Sequence, residues 1–227
     1  MIEQRSIAGK RKINSLHTSK KRIRQICSEY NKDELDDNTQ EKRSPRDYLI
    51  SQIAKRGRTA EFTPATTMDG FFHDSETDND DDNEQKLYDQ YISQAVRQGD
   101  IATLRRIHDE GCSLERRNRF GESLLHMACR RGYDEIVKFF VSEAGVNVRI
   151  KDDFGRNPLH DAFWTCTPNF DLVEDLLNEC PRLMFITDKR GHAPIDYVRR
   201  SDWKVWREFI DSNLDIIIKR NNFSDFE

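Results

Sequence analysis

The chain has 227 residues, of which 36% are hydrophobic and 34% are charged, and its formal net charge is −4. This composition is too polar on average for one compact core. The sequence has no run of about 18 apolar residues and no apolar stretch behind its basic N-terminus, so it predicts neither a membrane span nor secretion. The five cysteines lack paired spacing, which favours free thiols in a reducing compartment and neither metal nor cofactor.

Charge is unevenly distributed over the first third of the chain. Residues 1–24 contain eight Lys or Arg against one acid, whereas residues 74–84 contain seven acids and no base. Such segments cannot bury enough apolar surface to offset the entropy of the chain. We therefore expect residues 1–86 to form a mostly disordered arm, basic at its start and acidic at its end.

A short helix is predicted within this arm, over about residues 45–56. Ser44 suits the N-cap, Pro45 the first turn and Asp47 the third position. An apolar stripe follows and stops near Gly57; it consists of Tyr48, Leu49, Ile50 and Ile53. The helix either docks in a partner's groove or lies on the chain's own folded part. The apolar residues within 62–72 indicate contact with the folded part.

Basic clusters in the arm match the short signature that nuclear import receptors read, with Lys20, Lys21, Arg22 and Arg24 as the candidate residues. A solvated charge run and non-specific contact with RNA or DNA are the alternatives. The candidate phosphorylation sites are Ser75 and Thr77, each with an acid three residues later, and Ser44, which precedes a proline.

One pattern with a period of about 33 residues occupies the rest of the chain, in copies over about 85–117, 118–151, 152–187 and 188–220, followed by a tail at 221–227. Aligning the glycines at 121, 155 and 191 places three further sets of residues in register. These sets are Leu125, Leu159 and Ile195; His126, His160 and Asp196; and Ala128, Ala162 and Val198. The first copy is partial and has the character of an N-terminal cap.

The third copy opens with Asp152, Gly155, Asn157, Pro158, Leu159, His160 and Ala162. This opening resembles the ankyrin repeat, D-x-x-G-x-T-P-L-H-x-A, with Asn in place of Thr. The resemblance implies an all-α repeat protein, an ankyrin-like α-solenoid of helix pairs with short β-hairpin loops. It also implies that the two histidines form structural hydrogen bonds within the turn and to the next repeat.

Ankyrin proteins bind partners through their hairpin tips and the exposed face of each first helix. The resemblance carries this role to Arg117, Arg119, Phe120, Arg130, Arg131, Phe154, Arg156, Trp164, Lys189, Arg190, Tyr197 and Arg200. With the neighbouring Glu122, Lys151, Asp153 and Asp161, bases outnumber acids by nine to three on this surface. A basic surface with aromatic anchors suits an acidic segment that carries an apolar residue or two, and a solvated face without a ligand is the alternative.

No catalytic or metal-binding constellation is found, so the sequence does not predict an enzyme. We expect a monomeric, non-catalytic adaptor or regulator that binds a protein partner in the nucleus or cytoplasm, with the nucleus favoured. The alternative is a nucleic-acid-associated regulatory factor that uses its basic arm for affinity. A further hypothesis is that the acidic run at 74–84 competes with the partner for the basic surface.

Overall fold

The computed structural model describes residues 43–68, 70–72 and 83–218, and this part of the protein is mostly helical, as the repeat pattern predicts. Its helices, labelled in chain order, are α1 (Pro45–Lys55), α2 (Asn83–Gln98), α3 (Ile101–Asp109), α4 (Leu124–Arg131), α5 (Asp134–Lys138), α6 (Pro158–Phe163), α7 (Phe170–Glu179) and α8 (Trp203–Ile218). A π-helical turn at Phe139–Glu143 extends α5, and single 3-10 turns occupy Ala65–Thr67, Pro181–Phe185, Pro194–Tyr197 and Arg200–Asp202. Two short strands, β1 (Thr63–Pro64) and β2 (Ile186–Thr187), pair in parallel.

Each of the three later repeats opens with a tight hairpin, at 118–122, 152–156 and 188–192. The backbone N–H of the first hairpin residue donates to the carbonyl of the fifth, at 2.9 Å in all three. The glycine in the fourth position has φ between 71° and 83°, a region in which other residues are strained. Consecutive hairpins are joined by backbone hydrogen bonds, from Asp153 N to Phe120 O (3.0 Å) and from Lys189 N to Phe154 O (2.9 Å). The hairpins therefore form a continuous row along the repeats.

The predicted structural role of the two repeat histidines is confirmed. Both imidazoles are buried, and Nδ1 of His126 accepts a hydrogen bond from the backbone N–H of Ser123 at the start of α4 (3.3 Å). Nε2 of His126 lies 3.0 Å from the carbonyl oxygen of Arg156 in the next repeat, and Nε2 of His160 lies 3.2 Å from that of His192. Each histidine thus fixes a helix start and ties one repeat to the next.

The core lies between neighbouring helix pairs, where the residues aligned in the sequence pack against each other. Leu125, Leu159, Ile195, Ala128 and Ala162 are all buried. The second helices bury their apolar residues on the same core, which include Ile136, Val137, Phe140, Leu172, Val173, Leu176 and Leu177. Because no helix pair could bury its apolar face alone, the stacking of repeats is what stabilises the fold.

The fourth repeat departs from the others at its first helix. A 3-10 turn at Pro194–Tyr197 replaces the α-helix, and Asp196 stands where the earlier copies have His. The carboxylate of Asp196 takes over part of that role, since it accepts a hydrogen bond from the backbone N–H of Ala193 (2.8 Å). The long helix α8 then covers the end of the array and packs through Trp206, Phe209 and Ile210.

Helix α1 is confirmed at Pro45–Lys55 and packs on α8, so the self-packing alternative is the one observed. Its residues Leu49 and Ile53 are completely buried. Arg46 donates to the carboxylate of Asp196 (2.7 Å), 150 residues away in the sequence. The apolar side chains of α1 are buried where this helix covers the last helix of the array. The compact unit therefore begins at Arg43 and not near residue 87.

The segment after α1 lies along the repeats, as its apolar residues indicated. Strand β1 pairs with β2, the ring of Phe62 contacts Phe185 with centroids 5.6 Å apart, and Ala65 and Met68 are buried. Residues 43–68 and 70–72 are thus ordered, in contrast to the expected disordered arm. Helix α2 also begins within the arm, at Asn83 in the acidic run. For the remaining residues of the arm, disorder stays a prediction.

Candidate functional site

Four large hydrophobic side chains lie exposed along the hairpin tips and the first helices of the repeats. Tyr91 on α2 is 47% exposed, Phe120 is 48%, Phe154 is 51% and Trp164, at the end of α6, is 54%. We call the surface formed by the three hairpin tips, α2, α4, α6 and the turn at Pro194–Tyr197 the tip–helix surface. Exposed aromatic rings on one continuous surface are typical of a binding site.

The first of two hollows on the tip–helix surface lies between α2, the first hairpin and α4. It has a volume of about 1230 Å³ and is lined by Tyr91, Gln94, Arg119, Phe120, Glu122 and Met127, among others. The guanidinium of Arg119 lies over the ring of Phe120, 4.7 Å from its centroid. Tyr91 was missed by the sequence analysis, and its ring is exposed although the next residue in α2, Ile92, is completely buried.

The second hollow lies between the second and third hairpins and has a volume of about 410 Å³. Its lining includes Phe154, Trp164, Lys189, Arg190 and Tyr197. The Trp164 and Tyr197 rings meet with centroids 5.5 Å apart. The hydroxyl of Tyr197 donates to the buried carboxylate of Asp188 (2.7 Å), and burial together with this hydrogen bond raises the tyrosine's pKa. Tyr197 thus contributes its ring to the hollow while its hydroxyl is fixed inside the repeat.

Asp161 does not lie on the surface, contrary to the sequence-based assignment. Its side chain is fully buried beneath Arg130, which bonds to it (3.0 Å) and to Glu122 (2.6 Å). Burial raises the pKa of Asp161 to about 6, although Arg130 opposes this shift. Thr165 is buried as well, with its hydroxyl bonded to the carbonyl of Ala162 (3.2 Å). Helix α6 ends at Phe163, so Thr165 lies in the turn that follows the helix.

Arg156 is also less available than its position in the repeat suggested. Its guanidinium bonds to the carboxylate of Asp152 (2.6 Å) and lies over the ring of Phe154, 5.1 Å from the centroid. The side chain is only 17% exposed. Arg130 and Arg156 are therefore paired with acids, so the excess of basic charge counted in the sequence overstates what a partner meets.

The remaining basic candidates keep their charge at the surface. Five of them are exposed and have no carboxylate partner among residues 43–68, 70–72 and 83–218; these are Arg119, Arg131, Lys189, Arg190 and Arg200. Arg200 lies over the ring of Trp203 (5.7 Å). Arg117 is half-buried, and its backbone bridges to Ser123 at the base of the first hairpin. The structure thus brings most of the candidate residues together on the tip–helix surface.

The candidate residues of the arm are placed differently. Ser44 is the N-cap of α1: its hydroxyl accepts a hydrogen bond from the backbone N–H of Asp47 (3.1 Å) and donates to that residue's carboxylate (2.8 Å). The import candidates Lys20, Lys21, Arg22 and Arg24 lie outside the described residues, as do Ser75, Thr77 and nearly all of the acidic run. These assignments therefore stay predictions.

The described part of the chain contains no group of three or more His, Cys, Asp or Glu side chains placed to hold a metal ion. Within the same residues, no helix combines the length and the apolar character that are needed to cross a membrane.

Comparison with known proteins shows similarity over parts of the chain. The family model for ankyrin repeats matches residues 92–188 with three copies. The sequence is 31% identical over 104 residues to the SMC5-SMC6 complex localization factor protein 1 of Homo sapiens. The match covers 45% of this chain and 10% of that protein. A stretch of 71 residues is 42% identical to the NF-kappa-B inhibitor cactus of Drosophila yakuba, covering 31% of this chain and 14% of that protein.

A further match, 37% identical over 71 residues, is to the putative glutaminase 2 of Caenorhabditis elegans and covers 31% of this chain and 12% of that protein. The chain thus spans only about an eighth of the length of this relative, and the match carries no activity with it. The glutaminase match covers only the repeat region. The matched repeats, the row of bonded hairpins and the histidines that tie them together show that residues 92–188 form ankyrin repeats.

Proposed function

We propose that this protein is a non-catalytic adaptor or regulator that binds an acidic segment of a partner protein through the tip–helix surface. The observation that carries this proposal is the alternation of exposed rings and unpaired basic groups on one continuous surface. Phe120, Phe154 and Trp164 supply apolar anchors, and Arg131 and Lys189 supply positive charge between and beside them. Such anchors at the centre of an interface contribute most of the binding energy, whereas charge selects the partner and speeds association.

The relatives support a role in acting on other proteins. One is named an inhibitor of NF-kappa-B and another a localization factor of the SMC5-SMC6 complex, and each resembles part of this chain. Ankyrin repeats are non-catalytic binding elements. The nucleus is the proposed location, on the basis of the cluster at residues 20–24.

Site-specific photo-crosslinking in cells tests this proposal. A photoreactive amino acid at position 120 should capture a protein partner, whereas the same group at Ile50, on the outer side of α1, should not. The charge reversals Arg119→Glu and Lys189→Glu should abolish the capture, because an acidic segment would meet negative charge. The matched reversal Lys55→Glu, on the exposed side of α1, should leave the capture unchanged.

Two outcomes contradict the proposal. Equal capture from positions 120 and 50 would show that the tip–helix surface has no special role. Capture that disappears on nuclease treatment and weakens steeply with salt would favour the alternative function, in which the basic arm associates with nucleic acid.

A further inference from the structure

The row of hairpins places one residue of each repeat in an equivalent position, directly before the turn glycine. These residues are Phe120, Phe154 and Arg190. Each of the two phenylalanine rings is about half exposed and has a guanidinium stacked on it, from Arg119 and from Arg156. The tips therefore present an exposed aromatic ring in each of the first two repeats and a positive charge, Arg190, in the third, while the guanidinium at the second ring is paired with Asp152.

The distance between these steps follows from the packing of the repeats. The hairpins that carry Phe120 and Phe154 are hydrogen-bonded to each other, and so are those that carry Phe154 and Arg190. The helices behind the first two hairpins, α4 and α6, pack side by side. Because packed helices have axes about 8–10 Å apart, the steps recur at about that spacing.

Few conformations of a bound peptide match this spacing. In a β-strand, side chains on one face recur every two residues, or about 6.6 Å, which is too short, and every four residues, or about 13 Å, which is too long. A polyproline II helix has three residues per turn and a rise of about 3.1 Å, so side chains on one face recur every 9.3 Å or so. An α-helix also comes close, since positions seven residues apart are separated by about 10.5 Å.

The exposed guanidinium of Arg119 decides between the last two conformations. A polyproline II segment has no internal hydrogen bonds, so one of its carbonyl groups can accept a bond from Arg119 at the first step, whereas the guanidinium of Arg156 is already paired with Asp152. The carbonyls of an α-helix are already paired within the helix. Prolines also pack well against aromatic rings, and a segment that is extended before it binds loses less entropy on binding.

We propose that the partner segment is an acidic polyproline II helix that lies along the row of hairpins. Prolines three residues apart pack on Phe120 and Phe154, and a carboxylate three residues further meets Arg190. This inference rests on the proposed function and specifies the conformation and spacing of the acidic segment.

Synthetic peptides and the full-length protein provide the test, with binding measured by fluorescence anisotropy. The first probe carries two prolines three residues apart and a glutamate three residues beyond them, with Glu and Ser between; a second carries the same pattern in reverse order. A third has the same composition with the prolines two residues apart. We expect the better of the first two to bind about tenfold more tightly than the third, and Phe120→Ala or Phe154→Ala to weaken it about fivefold.

The controls separate this inference from the proposed function. Ile50→Ala removes an exposed apolar side chain outside the row of hairpins and should leave binding unchanged. Arg190→Glu should weaken the probe that carries the terminal glutamate but not a version with glutamine there. A helical acidic peptide with leucines seven residues apart, and an unstructured acidic peptide with two phenylalanines, complete the set.

Equal affinity for the two proline spacings, or wild-type affinity in both phenylalanine variants, overturns the inference. Preferential binding of the helical or the unstructured peptide also overturns it but leaves the proposed function in place, because an acidic segment is still bound. If none of these acidic peptides binds, both the inference and the proposed function fail.

Discussion

The imidazole of His126 joins two consecutive repeats, since its Nε2 lies 3.0 Å from the carbonyl oxygen of Arg156 while its Nδ1 accepts from the backbone of Ser123. Burial lowers the pKa of His126 to about 4, and the same cause lowers that of His160 to about 4. Both side chains are therefore neutral in the folded protein over a pH range in which they become charged in the unfolded chain. The bond that Nδ1 of His126 accepts from Ser123 depends on this neutral form, whereas the Nε2–H that donates to the carbonyl of Arg156 is present in both forms.

Acid should accordingly destabilise the protein. Between pH 6.5 and 4 the unfolded chain binds more protons at the two histidines, so their contribution to stability is complete above pH 6.5 and is lost as the pH falls. Asp161 acts in the opposite direction, because its pKa is raised to about 6 and its folded form binds a proton more readily. From pH 7 to 4.5 we expect the two histidines to lower the free energy of unfolding by about 5 kcal/mol and Asp161 to raise it by about 2 kcal/mol. The net decrease is then about 3 kcal/mol.

Urea denaturation at several pH values measures this dependence. His126→Gln removes one titrating group, so the fall of unfolding free energy below pH 6.5 should be shallower than in the wild type, whatever the stability of the variant at pH 7. An unchanged slope would contradict the assignment of the pH dependence to this histidine.

The packing between repeats predicts a large effect of one substitution in the core. Leu159 is completely buried between neighbouring repeats, so Leu159→Ala should lower the free energy of unfolding by about 2–5 kcal/mol. Thermal or chemical denaturation measures this change. Ile50→Ala, which truncates a partly exposed side chain, should change stability by less than about 0.5 kcal/mol. A Leu159→Ala protein that unfolds like the wild type would show that the repeats are not packed in this register.

Helix α1 should stabilise the far end of the chain. Ile53 is completely buried where α1 packs on α8, so Ile53→Ala should cost about 2–5 kcal/mol and increase hydrogen exchange of the α8 amides. Ile50→Ala, on the same helix but on its exposed side, is the matched control. Unchanged exchange in α8 together with unchanged stability would mean that α1 does not cap the array.

The basic cluster in the arm makes a prediction about location. If it is an import signal, replacing Lys20, Lys21, Arg22 and Arg24 with Ala should move a fluorescent fusion from the nucleus to the cytoplasm. Microscopy of the fusion measures the nuclear fraction. Lys10→Ala with Lys12→Ala tests whether a second run of basic residues, at 10–12, contributes to import. A distribution identical to that of the wild type counts against the signal.

The sequence alone predicted the main features of the repeat region. The glycines at 121, 155 and 191 require positive φ, and their spacing placed the hairpins, the histidines and the core leucines correctly. Because each copy of a repeat packs in the same local way, the role of a residue in one copy predicts the role of the aligned residue in the others. The exposed rings of Phe120, Phe154 and Trp164 were also predicted in this way, because their positions in the repeat face outward.

Only the tertiary structure decided which charges a partner can meet and how the array ends. Asp161 is buried under Arg130, and the charge of Arg156 is balanced by Asp152, although both residues occupy positions that face outward in the repeat pattern. The contact of Arg46 with Asp196 joins residues 150 positions apart. Periodicity is a local property of the chain, so it cannot show which side chains pair across repeats or which distant segment covers the last helix.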